Sequence, residues 1–110
     1  MINQTLNDIE LRIKEAKSLE AVQKKELLSM VSHLKTEVLD LAKTHREEAD
    51  SIANFVRLTA GEGLRDKKDK KLIQISLDGI HASLEKFEVT HPVLTQTVNG
   101  ICNFFSNIGI

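Results

Sequence analysis

The residues best suited to chemistry in this 110-residue chain are its four histidines, its 16 carboxylates and its single cysteine. Two pairs have the i, i+3 spacing by which a helical di-metal site projects both ligands from one face: Asp78-Gly79-Ile80-His81 and Glu88-Val89-Thr90-His91. The pattern fails in its details. Asp78 and His81 flank the apolar stripe through Ile73 and Ile80 instead of lying in it, and His91 stands at a helix start beside Pro92, so the pairs do not face each other across a core. No metal and no cofactor are expected. Cys102 has no base and orienting group at a spacing that would make it a nucleophile, and it reads as a small buried hydrophobe. Gly61-Glu62-Gly63 lacks the third glycine and the preceding strand of a phosphate-binding loop. The chain is therefore not expected to be an enzyme. His45 lies at the centre of a long apolar stripe between Leu41 and Ala49, and is the only polar residue there. A core imidazole hydrogen-bonded to Glu48 is the expectation, with a pH-sensitive or register-fixing polar layer as the alternative.

The composition describes what must position these residues. With 15 Lys+Arg against 16 Asp+Glu, 41% hydrophobic residues and 28% charged, the chain reads as a single folded domain over residues 1–110 with enough length for a real core. A net charge of −1 argues against a general polyanion binder, so nucleic acid is not an expected partner. One cysteine excludes an internal disulfide and a cysteine-built zinc site. No signal-like start and no run of ~18 apolar residues is present, so a cytoplasmic location without membrane contact is expected.

Few aromatics, one proline and five glycines disfavour a β domain. The spacing predicts an all-α fold, an antiparallel bundle of about four helices with a long central second helix. The first covers about Asn3 to Lys17 on the stripe Leu6, Ile9, Ile13, Ala16. The second runs from Leu19 to Ala60, about 63 Å if unbroken, continuous or bent once near Thr44-His45. Gly61-Glu62-Gly63 is expected to end it through a left-handed glycine. The third starts at a capping Asp66, partnered by Asp69, and buries Ile73, Leu77, Ile80, Leu84 and Phe87. Beside that stripe, Ser76, Gly79 and Ser83 predict a tight helix crossing. The cluster Arg65 to Lys71, five basic and two acidic side chains, opposes the dipole of the helix it precedes and reads as a solvated connector or an acidic-partner contact.

The fourth helix, from Thr90-His91-Pro92 to about Ser106, carries the most informative feature. Between Val89 and Ile110 there is no Asp, Glu, Lys or Arg. Leu94, Val98, Ile101, Phe105 and Ile108 share one face, while Gln96, Asn99, Asn103 and Asn107 gather on the other. Solvent-facing surfaces mix charges of both signs, whereas interface centres are depleted of charge. Gln96, Asn99, Asn103, Phe104, Asn107 and Ile108 are the candidate interface, with Phe104 as anchor. The expected role is a non-enzymatic homodimeric or otherwise homo-oligomeric interaction or scaffold protein. The alternative is a small inhibitor or antitoxin-like protein that binds a specific partner through this helix.

The tail FEVTHPVLTQTVNGICNFFSNIGI resembles the C-terminal signature of a family of short all-helical bacterial proteins of unknown function, with FE, a Ser or Thr, then HP, Leu, a later Asn, a small residue, and an SN-x-GI ending. The match lies on Phe87, Glu88, Thr90, His91, Pro92, Leu94, Asn99, Cys102, Ser106, Asn107, Gly109 and Ile110. The segment LLSMVSHLKTEVLDLAKTHREEADSIANF resembles the helical middle of the same family. The resemblance implies a bacterial origin and brings no known activity.

Overall fold

A computed structural model describes residues 2–109 of the chain, and every ordered element in it is helical: α1 (Ile2–Glu15), α2 (Ala21–Ala42), α3 (Arg46–Gly63), α4 (Lys70–Leu84), a 3-10 turn (Glu85–Phe87) and α5 (Pro92–Gly109). The all-α class follows from the apolar spacing; the expected long second helix is not continuous, and its interruption falls near Thr44-His45, the place given for its one bend. The chain breaks at residues 43–45, giving five helices instead of four. An unbroken helix of about 63 Å is longer than the 37 Å long axis of the molecule. Breaking it lets α3 fold back, so that one apolar stripe becomes two that pack on each other and on α1.

The break falls at Thr44-His45, where the sequence places its one polar interruption. His45 leaves helical geometry (φ −138°, ψ 69°), its N–H still donates to the Leu41 carbonyl at 2.8 Å, and its own carbonyl accepts from Ala49 N–H at 3.0 Å. The imidazole is exposed, not buried, and its hydrogen-bond partner is Thr44 Oγ1 at 2.8 Å from Nδ1. Both expectations for His45 as a core residue are corrected. Glu48, its expected partner, instead pairs with Lys86 at 3.6 Å.

Two further expectations change for steric and electrostatic reasons. Among the described residues no glycine has positive φ, so Gly61-Glu62-Gly63 does not end α3 by a left-handed turn. Gly63 belongs to α3 and serves close approach: a Cβ there would lie 2.5 Å from Phe105 Cδ1. The cap of α4 is Asp69, not Asp66, and its carboxylate accepts from Lys71 N–H at 3.0 Å and Leu72 N–H at 3.2 Å. An acidic cap at that position offsets the dipole that the neighbouring lysines oppose. One lysine of the cluster works elsewhere, since Lys68 Nζ donates to the Ile108 carbonyl at 2.7 Å and so ties the connector to the end of α5.

The core stripes read from the sequence are buried: Leu6, Ile9 and Ile13 from α1, Leu27, Val31, Leu34, Val38 and Leu41 from α2, Ile73, Leu77, Ile80 and Leu84 from α4, and Leu94, Val98, Ile101 and Phe105 from α5. The tight crossing expected beside the α4 stripe is that of α3 on α4. Gly79 lies under the Phe55 ring, where a Cβ would come within 2.5 Å of it. Below that contact sits a buried pair of hydroxyls. Thr59 Oγ1 lies 2.8 Å from Ser76 Oγ and 2.9 Å from the Phe55 carbonyl, and Ser76 donates in turn to the Ile73 carbonyl at 2.8 Å.

Candidate functional site

α5 packs mainly along α2 and touches α3 and α4 with the rest of its inner side. This fixes which side chains can meet a partner. Leu94, Val98, Ile101, Cys102, Phe104 and Phe105 are all buried, while Gln96, Asn99, Asn103 and Asn107 are exposed along the opposite side of the helix. Pro92 and Val93 extend the same exposed side at its start, Val93 with 54% of its surface accessible. The outward face of α5 is thus neutral from end to end, and it belongs to no cluster of ionisable groups.

Phe104 is placed differently from the expectation. It is 8% exposed and edge-on to Phe105 (centroids 5.7 Å apart, rings at 82°), so it belongs to the chain's own core and is not a free anchor. The packing of α2 on α5 covers it, and its remaining surface borders a shallow groove of about 400 Å³ between the start of α2 and the end of α5, lined by Gln23, Glu26, Met30, Asn103, Phe104 and Ile108 among others. Gly100 lies in its wall, where a Cβ would meet the Met30 sulfur at an ordinary 3.6 Å. Ile108 is half-buried at the end of this groove.

The groups singled out for chemistry are scattered. Asp78 is exposed and accepts from Gln74 Nε2 at 2.9 Å, His81 is exposed on α4, and Glu88 is exposed in the turn before α5. Among the described residues, no group of three or more His, Cys, Asp or Glu side chains could hold a metal ion. Cys102 is buried, and that burial pushes its thiol up from 9.0 to about 11 because the thiolate loses hydration without gaining a partner. At neutral pH it is a thiol with little nucleophilic character.

One arrangement escaped the sequence reading. His45 and His91 each precede a helix, each follow a threonine, and each have Nδ1 within hydrogen-bond distance of that threonine's Oγ1 (2.8 and 3.0 Å). Their N–H groups donate to the carbonyls of Leu41 and Phe87, both at 2.8 Å. The two imidazoles meet the buried Phe87 ring edge-to-face, at 5.2 and 5.6 Å between centroids. The signal was present as Leu41-x-x-Thr44-His45 and Phe87-x-x-Thr90-His91. It describes two alike helix junctions that clasp one aromatic ring, worth about 0.5–1.5 kcal/mol per ring pair, and it makes Thr-His a junction motif of this fold.

No helix among the described residues is long and apolar enough to cross a membrane. A family model described as a domain of unknown function, DUF4404, matches residues 27–110, that is, most of α2 and everything after it. α1 lies outside the match, although its Ile2, Leu6, Ile9 and Ile13 are part of the same core. No curated protein and no solved structure matches the chain.

Proposed function

We propose that this chain, which belongs to the DUF4404 family, is a non-enzymatic helical interaction protein, an antiparallel bundle that associates with copies of itself through the outward face of α5. The observation that carries this reading is the exposed, wholly uncharged row Gln96, Asn99, Asn103 and Asn107 on a chain that is 28% charged as a whole. Desolvating a carboxamide that then finds a hydrogen-bond partner costs far less than desolvating an ion. A helix face of neutral amides is therefore suited to lie against another surface. Val93 supplies apolar contact at its start.

Sedimentation or light scattering on the wild type and on Asn103→Asp and Asn99→Asp tests it. Two copies of a symmetric contact bring like charges together, so these variants are expected to lose mass while far-UV circular dichroism stays unchanged. A wild type that is monomeric at every concentration, or an assembly indifferent to both variants, refutes the reading. The groove between α2 and α5 favours a second reading, an inhibitor-like protein whose different partner inserts a side chain over Met30 and Ile108. In that case the wild type is a monomer until the partner binds.

A further inference from the structure

The outer side of the α3/α4 pair has an organisation that the core does not require. Three contacts give the register of the two helices: Glu48 with Lys86, Phe55 over Gly79, and Thr59 with Ser76. Numbers rise along α3 as they fall along α4, so the pair is antiparallel and the Phe55–Gly79 contact lies midway along it. At the connector end, Leu58, Leu72 and Ile75 are exposed by 52%, 44% and 55%; helical spacing puts Leu58 in line with Ser51 and Ile75 with Ala82, and Leu58 also borders the crevice toward Arg12 of α1. At the opposite end, the surface sinks into a groove of about 610 Å³ lined by Phe55 and the small residues Ser51, Gly79, Ala82 and Ser83, with Glu47 and the Glu48–Lys86 ion pair at its rim. Knobs and hole occupy the same face, and each knob is seven residues from a wall position of its own helix, Leu58 from Ser51 and Ile75 from Ala82. Both separations are about 10.5 Å along the helix axis, and both midpoints fall beside the Phe55–Gly79 contact.

We infer that this face docks on a second copy of the chain about a two-fold axis running across the helices at the Phe55–Gly79 contact, so that Leu58 and Ile75 of each copy enter the small-residue groove of the other. A two-fold axis at that place exchanges the ends of the face, and it is the operation that sets Leu58 over Ser51 and Ile75 over Ala82, with Leu72 outside the groove. Charge agrees with shape. The connector end carries the five basic and two acidic side chains of residues 65–71, and the groove end carries Glu47, Glu48, Glu85 and Glu88 against Arg46 and Lys86. Exchanging the ends lays the basic cluster of one copy beside the acidic end of the other. Arg65 pairs with Glu62 at 2.8 Å and Lys68 with the Ile108 carbonyl within the chain, so Lys67, Lys70 and Lys71 are the side chains that meet the acidic end across this contact. A different protein helix in the groove needs no such match between the two ends, and this self-complementarity in shape and charge favours a second copy. The inference shares with the proposed function only the premise of self-association; the surface is distinct from the α5 face, and with both engaged the assembly grows beyond a dimer.

Two measurements on the whole chain test it. The double variant Ile75→Cys/Ala82→Cys is expected to give a covalent dimer on mild oxidation, and neither single variant is. Positions about 10.5 Å apart on one helix cannot be bridged within a chain, and buried Cys102 does not compete. Ile75→Asp and Leu58→Asp, both at exposed positions, are expected to weaken association at least about tenfold, while Asn103→Asp leaves the cross-link intact. Absence of the cross-link in the double variant, or association unchanged in both aspartate variants, overturns the inference. Loss of assembly in Asn103→Asp alone would uphold the α5 reading and sink this one, and the reverse result would do the opposite. A monomeric wild type together with no cross-link in the double variant overturns both, leaving the groove to a different protein.

Discussion

The contact of Gly63 with Phe105 makes a sharp test of how α5 is seated on α3. A methyl group added at Gly63 would lie 2.5 Å from Phe105 Cδ1 and 3.0 Å from Cε1. Phe105 is 1% exposed and enclosed by the core, so its ring has nowhere to move without displacing other side chains. Overpacking of this kind costs about 1–3 kcal/mol. The usual gain from replacing a helical glycine is small at this site, because Gly63 is the last residue of α3. Gly100, in the middle of α5, is the internal control. A Cβ there meets Met30 Sδ at 3.6 Å, an ordinary contact, so Gly100→Ala should stabilise the fold by about 0.5–1 kcal/mol through backbone entropy. The two alanine variants are thus expected to differ by about 1.5–4 kcal/mol in opposite directions from the wild type. Urea unfolding of dilute protein, followed by circular dichroism and compared at equal m-values, measures this difference. If Gly63→Ala is as stable as Gly100→Ala, Phe105 does not pack on α3 and the seating of α5 is wrong.

Leu34→Ala and Leu84→Ala, at sites 0% and 2% exposed, should each lower the unfolding free energy by about 2–5 kcal/mol; a loss below about half a kcal/mol at both would mean that α2 and α4 do not bury these faces. Ser76→Ala should cost only about 1 kcal/mol, because Thr59 can turn its hydroxyl to the Phe55 carbonyl. A loss above about 3 kcal/mol in chemical denaturation would show that the Ser76 hydroxyl holds the crossing in some other way. The Cys102 thiol, raised to about 11 in the folded chain, binds its proton more tightly than in the unfolded chain. Its contribution to stability is complete below about pH 9 and is lost as pH rises toward 11, by about 1.4 kcal/mol at pH 10. The stability gap between wild type and Cys102→Ala should therefore narrow by that amount between pH 7 and pH 10, and a gap independent of pH would contradict the burial of the thiol.

Much of this architecture is legible in the chain itself, because helix periodicity is a local property. The stripe Ile73, Leu77, Ile80, Leu84 and Phe87 needs only the pitch of a helix to be read as a core face, and all five are buried. The neutral side of α5 is likewise written in residue types, as Gln96, Asn99, Asn103 and Asn107 fall together at that same pitch and remain exposed. The close crossing of α3 and α4 is announced by Ser76 and Gly79, since small side chains at helical spacing leave room for a neighbour.

What the sequence could not decide are the questions answered by distant parts of the chain. Leu19 to Ala60 has a helical pattern whose one local sign of a turn is the polar interruption at Thr44-His45, and that sign suits a bend as well as a break. With the turn at residues 43–45, α2 and α3 lie side by side and the apolar stripe of α1 is buried against both. His45 follows from that turn: on a straight helix it belongs to the core, and at a junction it is carried to the surface against Phe87, 42 residues away. The roles of Gly63 and Lys68 are of the same kind, because their partners Phe105 and Ile108 lie on a helix that sequence spacing does not connect to them. Phe104 shows the converse. Its wheel position beside the apolar stripe suits either a core or an interface, and only the approach of α2 closes the core over it. Periodicity determines which side of a helix is buried, while the choice of neighbour depends on contacts between residues far apart in the chain, and those are set by packing in three dimensions.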